Sequence, residues 1–88
     1  MTRAKRIEMR LTEALKPRRL TVVDRSEAHR GHAGWRPSGE THFKVEVESR
    51  AFEGLSRVAR QRLVYDLLRG ELEGGLHALE LTTRIPGD

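Results

Sequence analysis

Apolar residues recur every three or four positions from Thr2 to Lys16, at Ala4, Ile7, Leu11, Ala14 and Leu15. That spacing places them on one stripe of a helix. Thr2 is suited to cap its start and Pro17 forbids its continuation. Leu20-Thr21-Val22-Val23 is short and rich in β-branched residues, and Phe43 to Glu48 alternates strictly between apolar and polar, so two strands are predicted, the second with one wet face. Ser56 is placed to cap a second helix running to about Leu72. Its apolar members are Val58, Val64, Tyr65, Leu67, Leu68 and Leu72, interrupted by Gln61 and Arg62 and ended by Gly74-Gly75. Leu76 to Thr83 reads as a third strand, and Pro86 blocks much further pairing.

The order helix, strand, strand, helix, strand predicts a single α/β domain over residues 1–88. Its three-stranded mixed sheet should carry both helices on one face. The first two strands should be antiparallel neighbours, and a helical crossover makes the third parallel to the second. Between the first two strands lies a long irregular loop, about residues 25–41, holding Gly31, Gly34, Pro37 and Gly39. Loops of that length in small domains tend to be functional or disordered.

With 88 residues, one core is affordable and two are not. Apolar residues make up 36% of the chain against 34% charged, which supports a globular domain of ordinary marginal stability. The absence of cysteine removes disulfides, thiolate ligands and cysteine nucleophiles from this chain acting alone. No run approaches the ~18 apolar residues of a membrane span, and no secretory signal is legible, so a cytoplasmic location without membrane contact is expected. The net charge of +4 is uneven: residues 1–36 hold ten Lys/Arg against four acids, whereas residues 37–88 hold seven against nine. That basic first half either solubilises the surface or meets a polyanion.

Several stretches taken together resemble the BolA family. They are Gly39-Glu40-Thr41-His42-Phe43-Lys44-Val45, Phe52-Glu53-Gly54, the run from Ser56 to Tyr65, and Leu76-His77-Ala78-Leu79. The match covers nearly the whole chain in order. The resemblance implies an α-β-β-α-β fold similar to class II KH domains. It also implies a [2Fe–2S] cluster shared with a monothiol glutaredoxin and glutathione, the chain being a monomer alone and a heterodimer with its partner. Some relatives are described as transcriptional regulators, so DNA is the alternative partner. Carried over by position, the cluster-ligating histidines are His77 and, in one branch of the family, a loop histidine, either His29 or its rival His32.

The residues are compatible with that chemistry, since iron–sulfur irons accept imidazole in place of some thiolates and a cysteine-free chain can be only half of such a site. Strand parity alone would place His77 with Leu79 and Leu81 as a histidine at the rim of the core. His42 falls on the polar parity of its strand, so it should face solvent or support the loop. His29-x-x-His32 does not make a zinc site, because no cysteine or carboxylate pair completes the usual three or four ligands. Trp35 is either a contact residue for a partner or a flap over the sheet.

Arg57, Arg60 and Arg62 stand at the start of the second helix while Asp66, Glu71 and Glu73 lie toward its end, the reverse of what the helix dipole favours. They form a candidate surface for an acidic partner or phosphates. Relatives commonly carry histidine between the last two arginines, where this chain has Gln61. Gly31-His32-Ala33-Gly34 has the KH spelling but lies between strands, where the KH grip on nucleic acid does not operate. No nucleophile elbow, phosphate-binding glycine loop or paired carboxylates point to an enzyme.

Overall fold

A computed structural model of the chain describes residues 2–29 and 39–87, the side chains of residues 28 and 29 excepted. The first helix, α1, spans Arg3–Leu15, with the Thr2 side chain accepting the Lys5 amide and Lys16 closing the last turn in a left-handed conformation. Ile7, Leu11 and Leu15 are its buried stripe, while Ala14, expected on that stripe, is exposed.

Strand β1 is Arg19–Asp24 and β2 is His42–Glu48. A 3₁₀ turn, Ser26–His29, opens the connection that the sequence reads as wholly irregular. β1 and β2 pair antiparallel, with Val22 opposite Val45 and Leu20 opposite Val47. Strand β3, Ala78–Arg84, runs parallel to β2 on its other side, with Leu79 opposite Phe43 and Leu81 opposite Val45. The sheet order is therefore β1-β2-β3, as the element order predicts.

The second helix is not continuous. It runs Arg57–Leu67 as α2, capped by Ser56, and resumes as a short α3 at Arg69–Glu73. Leu68 sits at the break with φ −99° and ψ 12°, its amide shared between the Val64 and Tyr65 carbonyls. Gly70, a weak helix former, follows in the next turn, and Leu68 stays in the core at 1% exposure. Two apolar residues of the predicted stripe fall outside the core, since Val58 and Tyr65 remain exposed, and the Tyr65 hydroxyl donates to the Leu79 carbonyl of edge strand β3 at 3.2 Å.

Phe43, Val45 and Val47 fill one face of β2 and pack with Ile7, Leu11 and Leu15 of α1, Val64 of α2, and Leu68, Phe52 and Leu76. Both long helices thus cover one sheet face. At the far end of β2, the buried Ser49 hydroxyl donates to the Leu15 carbonyl at 2.6 Å and so ties the strand to the end of α1.

Glu71 is the polar counterpart of that packing. Arg3 Nε reaches its carboxylate at 3.0 Å and Arg6 Nε at 2.9 Å. The Arg6 hydrogen bond holds this carboxyl below its usual range, burial opposes the shift, and Arg3 reinforces it. The break puts Glu71 in the first turn of α3, where a helix dipole no longer opposes an acid, and the carboxylate also faces two cations of α1.

Truncating Leu11, which is fully buried, to alanine should cost about 2–5 kcal/mol in urea denaturation. The same truncation at Met9, 43% exposed, should stay within about 0.5 kcal/mol.

Candidate functional site

His77 lies in the turn ahead of β3, and the chain arrives there through Gly75, whose φ of +121° is open to glycine and costly for other residues. Leu76 turns into the core at 3% exposure, which leaves His77 exposed on the outer side. The expectation of a histidine at the rim of the core is therefore corrected. The third strand begins one residue after His77, and strand parity does not govern a residue in the preceding turn.

Backbone hydrogen bonds hold the position. The His77 and Ala78 amides both donate to the Thr41 carbonyl, at 2.8 and 3.1 Å, and Ala78 lies in register with His42. The rings of His42 and His77 come within 5.3 Å of each other, centroid to centroid, tilted by 52°.

His42 is buried, at 4% exposure, which overturns the expectation that it faces solvent. Its polar parity is real, but the connection from β1 folds over that end of the strand. The Ser26 hydroxyl accepts the Thr41 amide at 2.9 Å and the His42 amide at 3.2 Å. Thr41 Oγ1 and His42 Nδ1 share a hydrogen bond of 2.9 Å whose direction follows the imidazole tautomer. The other half of the expectation is met, because His42 supports the start of the loop.

Asp24 closes this polar cluster. Its carboxylate accepts the Ser26 amide at 2.9 Å and the Glu40 amide at 3.2 Å. Burial raises its pKa, but the Ser26 hydroxyl and amide, the Glu40 amide and the nearby His42 ring outweigh that cost and leave it below the usual range. Gly39 and Glu40 both have positive φ, +74° and +61°. For Glu40 such a conformation costs about 1–2 kcal/mol, so the contacts around it must hold it there. None of Asp24, Ser26 or Glu40 is marked as functional by sequence pattern. The only local signal is Asp24-x-Ser26, the spelling of an Asx turn.

Among the remaining sequence candidates, Arg57 and Arg62 are exposed at the start of α2. Arg60 is half-buried and its Nε donates to the Leu55 carbonyl at 2.9 Å, so one of its donors serves the fold. The side chain of His29, and His32 and Trp35 entirely, lie outside the described residues. Among the described residues, no group of three or more His, Cys, Asp or Glu is placed to hold a metal ion.

The family model for BolA, described as a BolA-like protein, matches residues 11–88. The chain belongs to the BolA-like family. It is 46% identical over 89 residues to a Sinorhizobium protein called "Uncharacterized protein in cobS 5'region", covering 100% of this chain and 96% of that one. It is 47% identical over 88 residues to Protein BOLA1, chloroplastic, of Arabidopsis thaliana, covering 98% of this BolA-like chain but 55% of the relative. SufE-like protein 1 of the same plant is 46% identical over 91 residues, of which this match spans 24% of the relative and 99% of the chain. This BolA-like chain thus spans nearly the whole of one relative, about half of the second and a quarter of the third.

Among solved structures, the BolA domain of SufE1 from Arabidopsis thaliana superposes with a TM-score of 0.88 at 45% identity, covering 98% of this chain and 94% of that one. The solution structure of mouse BolA1 gives 0.76 at 36% identity, with 94% and 64% covered. The predicted α/β fold and the family resemblance are both confirmed. No helix among the described residues is long and apolar enough to cross a membrane. One of these plant relatives is named chloroplastic and the other chloroplastic/mitochondrial, so the cytoplasmic expectation is not confirmed.

Because the folded pKa of Asp24 is lowered, its contribution to stability is present above the ordinary value of 3.8 and is lost as pH falls through the lowered value. Urea denaturation of Asp24→Ala beside the natural chain should therefore show its widest stability gap near neutral pH. The gap should narrow as the medium is taken below pH 3.8.

Proposed function

We propose that this BolA-like chain is a non-catalytic adaptor. It docks a monothiol glutaredoxin and donates an imidazole to a [2Fe–2S] cluster completed by the partner's cysteine and glutathione, in iron–sulfur homeostasis or its regulation. The observation that carries the reading is the presentation of His77. Its backbone is anchored by two amides on the Thr41 carbonyl, one face meets the buried His42 ring, and the residue itself is exposed. An imidazole meant for another molecule's metal centre has to be held in place yet left reachable, and His77 meets both conditions.

The donor set fits a shared cluster better than a resident one. The chain has no cysteine, and iron–sulfur irons take imidazole as a minority ligand beside sulfur. His77 would hold one iron from this side, with the loop histidine, His29 or His32, as the second ligand of the family pattern. The cluster, once bound, supplies one-electron chemistry and lability toward acceptors. This chain's own residues position the imidazole and shape the docking face. That a domain of this kind also occurs within the longer SufE-like protein 1 is in keeping with a module working beside another protein.

Mixing the chain with a monothiol glutaredoxin, iron, sulfide and glutathione should give a co-eluting complex whose visible circular dichroism differs from that of the glutaredoxin homodimer. His77→Ala should weaken cluster retention by about 10–100-fold. Its stability should shift by no more than about 0.5 kcal/mol, because the side chain removed is exposed. A glutaredoxin-only spectrum with no co-elution would contradict the proposal.

A further inference from the structure

We infer that Arg3, at the opposite end of the chain from His77, is a positioning residue for the His42–His77 pair. Its guanidinium clips together the two backbone segments that carry the rings. Arg3 Nη1 donates to the Glu40 carbonyl, and Nη2 donates to the Gly74 carbonyl at 2.8 Å. Glu40 lies two residues before His42, and Gly74 three before His77. One planar fork therefore spans the entries to both histidine-bearing segments.

The remaining Arg3 contacts fix the fork itself. Nε is held by Glu71 Oε1 at 3.0 Å, the Arg3 amide donates to Glu40 Oε1 at 2.8 Å, and only 12% of the side chain is exposed. Arginine is suited to this and lysine is not, because a guanidinium presents its donors in a rigid plane whereas an ammonium is a single point on a flexible stem.

One feature shows that the clip holds geometry the chain would not adopt unaided, and a second shows how closely it packs. Glu40 sits at φ +61°, and its amide, carbonyl and carboxylate are engaged by Asp24 and Arg3 together. Gly75 sits at φ +121°, and a Cβ built on it would lie 3.4 Å from Arg3 Nη2. The arginine and the glycine pair thus fill one space between them. With the clip gone, nothing near the Glu40 carbonyl replaces it among the described contacts, and the left-handed turn feeding Thr41 keeps only its amide contacts to Asp24 and Ser26. The Thr41 carbonyl that receives the His77 and Ala78 amides would move with it.

This inference deepens the reading of His77 as a ligand and rests on it for its purpose, but its test needs neither cluster nor partner. The full chain and its Arg3→Lys variant are compared by NMR, through amide exchange and through the nuclear Overhauser contact between the two imidazole rings. Exchange at His77 and Ala78 should rise at least tenfold relative to Val45 and Val47 in Arg3→Lys, and the ring-to-ring contact should be lost. A uniform rise across all four amides would make Arg3 a general fold residue and overturn the inference, as would unchanged exchange with the ring contact intact. Failure here leaves the His77→Ala cluster assay standing, and failure of that assay leaves the clip standing.

Discussion

Everything in this fold hangs on the central strand having one dry face. Phe43, Val45 and Val47 are at most 2% exposed, β2 is paired on both sides, and both long helices close over that single face. A slip of one residue in either pairing would turn these three side chains to the open side and bring His42, Lys44 and Glu46 inward. The register is thereby fixed by hydrophobic burial. The same register that sets Val45 beside Leu81 also sets His42 beside Ala78. Core packing therefore brings the segment that carries His77 to the neighbourhood of His42.

The elements that sequence pattern captured are those whose signal is local and periodic. The alternation of Phe43 to Glu48 and the stripe of Ile7, Leu11 and Leu15 are repeated over several turns or residues, so burial on one side leaves an unmistakable record. The helix break at Leu68 escaped because Leu67, Leu68 and Leu72 keep the apolar spacing across it. Gly70, two residues past the break, carries a helix-propensity cost that apolar spacing does not register. His42 was misplaced for a related reason. Strand parity identifies the side of the sheet a residue occupies but not what folds over that side, and here the Ser26 turn does so.

The candidate site was legible only in part. His77 stood out through its motif, whereas the residues that hold its surroundings, Arg3, Asp24, Ser26 and Glu40, look like ordinary surface residues in one dimension. Arg3 meets Glu40 across 37 positions and Gly74 across 71, distances over which no spacing rule operates. Charge patterning within one element is likewise blind to partners on another. Glu71 appeared to oppose its own helix dipole, but its partners are Arg3 and Arg6 of α1, and that pairing is also what leads the arginine fork to the Glu40 and Gly74 carbonyls. Part-buried charge and hydrogen bonds thus organise one end of the sheet, and His77 stands exposed beside them.

The most direct measurement of that offer is pulsed electron paramagnetic resonance on the reduced cluster of the glutaredoxin complex, with only this chain's histidines labelled with ¹⁵N. A directly coordinated ¹⁵N coupling that disappears in His77→Ala is the result predicted. A cluster with no imidazole coupling, or one whose coupling survives that substitution unchanged, would contradict the role given to His77.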